Sequence, residues 1–185
     1  MAYSGKKIEN PMTGQSIQFL RTAKDTGGAL LEMETTYRSA STPPIPHYHP
    51  HQDEHFTVIK GELTLMTGRK MMVLKEGEQI RIPRGQHHAM WNASSSPTIV
   101  NWKVSPALET ENLLEIVMGL SAAGKVNRKG MPSILQMSIL APRFSKVYRI
   151  SQPARWLQLL VFGVLKPFAL LSGHQADFKN LEDQE

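Results

Sequence analysis

The chain contains no cysteine among its 185 residues. That excludes disulfides and thiolate metal sites, so a bound metal must be held by imidazole, carboxylate or carbonyl groups. The N-terminus has charge but no apolar stretch behind it, which argues against a secretory signal and makes the cytoplasm the expected location. No apolar run reaches the length of a transmembrane helix: the most apolar stretch, Trp156 to Leu171, is 16 residues and contains Gln158, Lys166 and Pro167, against a lower limit of about 17. Phosphate-binding loops, nucleophile elbows and zinc-protease helix motifs are missing as well. Acidic residues are missing from one region only. Residues 1–115 hold 12 basic and 12 acidic residues, whereas residues 116–176 hold 8 basic and none acidic, and the whole chain carries a net charge of +5. Such a basic region suits a solvated helical face or a surface for an anionic partner; no nucleic-acid partner is expected.

What is present begins with short strands. Residues 28–38 alternate, with Ala29, Leu31, Met33, Thr35 and Tyr37 on one side and Glu32, Glu34, Thr36 and Arg38 on the other, the period of a half-buried strand. Asp25-Thr26-Gly27-Gly28 is a turn joining it to a strand over Gln15–Ala23. The proline-rich segment Ser41–Pro46 is a loop. Residues 55–66 and 71–75 flank the hairpin signature Thr67-Gly68-Arg69-Lys70. Further strands fit Gln79–Ile82, His88–Asn92 and Thr98–Val104. This density of short strands predicts a closed barrel or sandwich over residues 1–105. After it the period becomes helical: Leu108–Leu120, a second helix from Met131-Pro132 to about Leu140 that ends at Pro142, and the apolar stretch 156–171, where Pro167 is expected to break or kink the helix near Leu165. Residues 106–185 thus read as a helical extension.

Six of the seven histidines lie between positions 47 and 88. His47 and His49 are two apart and project from one face of an extended strand. Glu54 joins them if a turn at Pro50 resets the alternation, which then also turns Phe56 and Val58 inward.

These residues resemble the two motifs of the cupin superfamily. The first motif is matched by His47, His49, four residues, Glu54, six residues and Gly61; the second by Gly77, Pro83, Gly85, His88 and Asn92. Ser41 stands where the first motif starts with glycine. The resemblance implies a mainly β fold, a cupin-type antiparallel β-barrel (double-stranded β-helix or jelly roll) with a helical C-terminal extension. It also implies one mononuclear metal site made by His47, His49, Glu54 and His88. Three nitrogens and one oxygen suit Fe, Mn, Ni, Cu or Zn better than calcium or magnesium. His51 is the alternative to His47; His55 and His87 are expected to face away. Met33, Tyr37, Phe56, Met90 and Trp102 are candidates for lining the cavity, or simple core.

Two functions follow from the resemblance. One is an enzyme similar to quercetin-dioxygenase-like cupins, acting on a small organic substrate, with Glu54 as general base. The other is a metal-dependent binder or sensor of small molecules without turnover. A homodimer is expected by analogy with other small cupins. For the apolar C-terminal stretch, packing on the barrel or across a dimer interface is favoured over an anionic membrane surface.

Overall fold

The computed structural model describes residues 1–176. Its first 105 residues hold β1 (Lys7–Asn10), β2 (Gln15–Arg21), β3 (Leu31–Tyr37), β4 (His47–Tyr48), β5 (Asp53–Lys60), β6 (Glu62–Thr67), β7 (Lys70–Lys75), β8 (Gln79–Ile82), β9 (His88–Trp91) and β10 (Thr98–Ser105). Then come α1 (Thr110–Ala122), α2 (Ile134–Arg143), β11 (Arg149–Ile150) and α3 (Arg155–Leu171). The strands form a six-stranded sheet in the order β1-β2-β3-β10-β5-β8 and a five-stranded sheet in the order β11-β4-β9-β6-β7. Every pairing between strands is antiparallel, and the fold is the expected antiparallel double-stranded β-helix with a helical C-terminal extension.

The alternation read in residues 28–38 is realised in β3, where Leu31, Met33 and Thr35 are buried and Glu32, Glu34 and Thr36 less so. Phe56, Val58, Leu63, Leu65, Ile82, Met90 and Val100 form one core cluster, with Tyr37 and Trp102 packed against it. Ile17, Phe19, Leu31, Met33, Val104 and Met118 form a second, which α1 caps. Burying a large apolar side chain contributes about 1.5–3 kcal/mol, so these clusters dominate the stability of the barrel.

Residues 55–66 are two strands, not one. Gly61 turns the chain at φ +84°, and a Cβ there would sit 2.9 Å from the carbonyl oxygen of Pro97. Only glycine combines a left-handed backbone with that close approach. The serine at position 41 carries no comparable strain, because the left-handed residue is its neighbour Ala40, at φ 48°. Ser41 instead ties the two motifs together: its N–H donates to the Asn92 carbonyl (2.8 Å), and its hydroxyl accepts from the Asn92 N–H (2.9 Å).

Two short strands had no legible signal: β1, and β11, which pairs Arg149 with Tyr48 and Ile150 with His47. Through β11 the C-terminal extension returns to the edge of the five-stranded sheet. α2 runs one residue past Pro142. α3 continues through Pro167 without a break. Proline removes the bond to the carbonyl four residues back; here that residue is Gly163, which lies on the exposed side of α3 and has no side chain to crowd the ring. α3 packs principally on α2 and buries only Phe162 and Ala169. No described helix is long and apolar enough to cross a membrane.

Candidate metal centre

β4 delivers His47 and, just past its end, His49; β5 delivers Glu54; β9 delivers His88. His47 and His88 are direct cross-strand partners, which places their rings 4.4 Å apart. The turn over residues 50–52 resets the alternation, so that Glu54, Phe56 and Val58 are buried while His55 is exposed. This turn is pinned from two sides. The Gly85 N–H donates to the His49 carbonyl (2.8 Å). The buried Gln52 amide donates to the carbonyls of Pro106 and Ala107 and to the Thr110 hydroxyl.

One ring nitrogen from each of His47, His49 and His88 lies within 4.8 Å of the others. Glu54 Oε2 sits 3.0 Å from His88 Nε2 and 3.3 Å from His49 Nε2. Two ligands bound at about 2.1 Å and at right angles are separated by about 3.0 Å, so this spacing fits a shared ion. The other ring nitrogens are engaged. His49 Nδ1 meets the Val147 carbonyl at 2.7 Å and His88 Nδ1 meets the Gln86 carbonyl at 3.0 Å, which fixes Nδ1 as the protonated nitrogen in each neutral ring. Nε2 then carries a lone pair aimed at a carboxylate oxygen. His49 Nε2, His88 Nε2 and Glu54 Oε2 are all buried without a hydrogen-bond partner. Two lone pairs facing a carboxylate at contact distance repel unless a cation or proton lies between them. The donor set therefore fits a metal ion.

The electrostatics agree. Burial pushes His47 down to about 3, helped by the neighbouring imidazoles. Burial likewise lowers His49, partly offset by Glu54. Burial alone would raise Glu54, but the surrounding imidazoles outweigh it and hold the carboxyl down to about 2. Burial lowers His88, yet the Glu54 carboxylate beside it leaves a net upward shift. His47 and His49, neutral beside an ionised Glu54, are in the protonation state that a metal requires, whereas on His88 an ion has to displace the proton that Glu54 favours.

The remaining candidates are distributed around this centre. Trp102 Nε1 donates to Glu54 Oε1 at 2.9 Å and so orients the carboxylate; its ring stacks with Phe56 at 5.7 Å. Tyr37, half-buried against the core, lies close enough to Glu54 for that charge, after burial itself, to raise its phenol. Met90 lies in the same core cluster as Phe56, and Met33 lies in the second cluster. His51 and His55 are exposed. His87 faces outward, where it stacks on Tyr48 at 4.5 Å and pairs with the Ser151 hydroxyl at 2.7 Å.

Two contributors lay beyond the reach of sequence reasoning. Val147 supplies a backbone carbonyl to His49, a role any residue type can fill. Tyr148 stacks on His47 at 4.6 Å. Only their position beside β11 brings them to the centre, and a two-residue strand leaves no periodicity to detect.

An antiparallel two-sheet barrel with a histidine cluster between its sheets defines a class of protein, and comparison with known families agrees. Residues 34–103 match the model of the cupin domain, so this part of the chain is similar to a cupin domain. Among curated proteins it is 32% identical over 60 residues to the tetracenomycin polyketide synthase protein TcmJ of Streptomyces glaucescens, covering 32% of this chain and 40% of that protein. It is 42% identical over 53 residues to an uncharacterized protein of Aquifex aeolicus (strain VF5), covering 29% and 44%. The match thus spans less than half the length of each of these relatives. Solved structures with a similar fold include KdgF from Halomonas sp., at 14% identity and a TM-score of 0.46 over 53% of this chain and 84% of that one. Another is the polyketide cyclase RemF from Streptomyces resistomycificus, at 20% identity and 0.45 over 50% and 65%.

Proposed function

We propose that the protein binds one divalent transition metal through His47, His49, Glu54 and His88 and uses it on a small, poorly polar organic substrate. The observation that carries this reading is the convergence of Nε2 of His49 and His88 on Glu54 Oε2, buried and without hydrogen-bond partners. A bound metal of this class supplies Lewis acidity and, for a redox-active ion, a site for oxygen. The chain's own groups do the rest. Trp102 holds one carboxylate oxygen so that the other faces the imidazoles. The carbonyls of Val147 and Gln86 orient two of the rings. Phe56 and Met90 keep the surroundings apolar. The similarity to a protein named for polyketide synthesis supports a substrate of aromatic or polyketone character, and with it an oxygen-using, dioxygenase-like reaction.

A second reading, binding without turnover, draws on Glu54. A carboxyl held down to about 2 is a weak base at neutral pH. The two phenols nearest the cluster, Tyr37 and Tyr148, are both raised by burial. Metal analysis of protein purified without added metal, followed by oxygen uptake against phenols and diketones, tests both readings. Less than stoichiometric metal after reconstitution sinks the site. Ligand-induced thermal shift without substrate consumption selects the binder.

A further inference from the structure

α3 raises a question that the metal centre does not answer. Its inner edge is settled: Phe162 and Ala169 are buried, and the Gln158 amide donates to the carbonyls of Ile150 and Pro153. Gln158, which interrupts the apolar run in sequence, therefore faces the protein and not the solvent. The outer face is apolar throughout. Trp156, Leu159, Leu160, Val164, Phe168 and Leu171 are each between 52% and 87% exposed. Isolated exposed apolar side chains are ordinary, but a contiguous face of this extent marks an interaction surface.

Charge decides between the possible occupants. At about 100° per residue, Arg155 and Lys166 fall within about 20° of each other, three turns apart, and edge the apolar face beside Leu159. Both are exposed, as is Lys146 upstream, and none of the three has an ion-pair partner among the described residues. No acidic residue occurs between positions 116 and 176. In a two-fold pairing the same patch meets itself, so a second copy would set Arg155 and Lys166 of one α3 against those of the other with no carboxylate from this region to neutralise them. An anionic bilayer surface supplies both missing partners: acyl chains for the apolar face, and phosphate for the cations, whose aliphatic stems reach past the apolar side chains. With no described helix long and apolar enough to span a bilayer, such a helix lies in the interface plane.

We propose that α3 docks the protein on anionic membrane surfaces, its outer face entering the headgroup region and Lys146, Arg155 and Lys166 engaging lipid phosphates. The test uses the full chain with vesicles of phosphatidylcholine alone or with about 30% phosphatidylglycerol, read by co-sedimentation and by the fluorescence of the exposed Trp156. Each basic residue near the surface contributes about fivefold, so the anionic vesicles should bind on the order of a hundredfold more tightly, and about 0.5 M salt should remove most of that difference. Leu160→Glu/Val164→Glu/Phe168→Glu should abolish binding to either vesicle. Because all three positions are already exposed, the melting temperature of this variant should match the parent and so exclude misfolding. Arg155→Gln/Lys166→Gln should lose about 25-fold on anionic vesicles only. Absence of binding, or binding indifferent to lipid charge, overturns the proposal. If vesicles are not bound and the triple glutamate variant turns a dimer into a monomer, the occupant is a second copy.

Discussion

The barrel and α3 are both rich in apolar residues, and they use them in opposite ways. In β3, β5 and β10 apolar side chains alternate with polar ones, and the inward set, Leu31, Met33, Phe56, Val58, Val100 and Val104, is buried. In α3 the apolar residues lie mainly on the outward face, and just two residues of 17 are buried. An amphipathic period tells a chain which face to hide. A helix that turns its apolar face outward is finished only by something outside the fold, so hydrophobicity alone does not measure a segment's contribution to stability.

The contrast can be broken most sharply at the metal. His88→Ala should lose far more metal affinity than the about 10–100-fold typical of removing an outer-shell partner, whereas His87→Ala, one residue before β9 and facing outward, should leave metal content unchanged; dialysis followed by elemental analysis reads both. Next comes packing. Phe56→Ala should cost about 3–5 kcal/mol in denaturant unfolding, while Leu160→Ala, on the exposed side of α3, should stay within about 0.5 kcal/mol. An equal cost at the two positions would mean that α3 is buried in solution. Trp102→Phe keeps the ring but removes the hydrogen bond to Glu54, and should weaken metal binding by about 10–100-fold with a smaller change in stability.

A further contrast is in the response to pH. His47 sits near 3 when folded, below its ordinary value of 6.5, so the unfolded chain binds more protons between those values and metal-free stability should fall as pH drops through 6.5. His49 acts in the same direction. His88, raised when folded, opposes them: its contribution is full below 6.5 and is lost as pH rises through its folded value. A metal-free melting profile should therefore decline on the acid side, and His47→Gln should flatten it.

Much of this was legible in the residues because it depended on period and type. The alternation of Leu31, Met33 and Thr35 and the hairpin at Thr67–Lys70 survive in the structure as read, and His47, His49, Glu54 and His88 come together in it. Gly61 was legible only as a motif residue, because its role, a left-handed turn against Pro97, appears only once the partner strand is in place. The path of α3 through Pro167 depended on which side of the helix Gly163 would face, which a linear pattern does not reveal. The tie from Val147 to His49 is backbone chemistry and leaves no mark on residue choice.

That tie has a thermodynamic consequence. The His49 ring is oriented by a carbonyl 98 positions further along the chain, in the strip that connects α2 to α3. Ion occupancy and docking of this strip are therefore linked equilibria. Whatever holds residues 147–150 in place favours the ligating orientation of His49, and an ion on His49 must, by reciprocity, hold the strip in place by the same free energy.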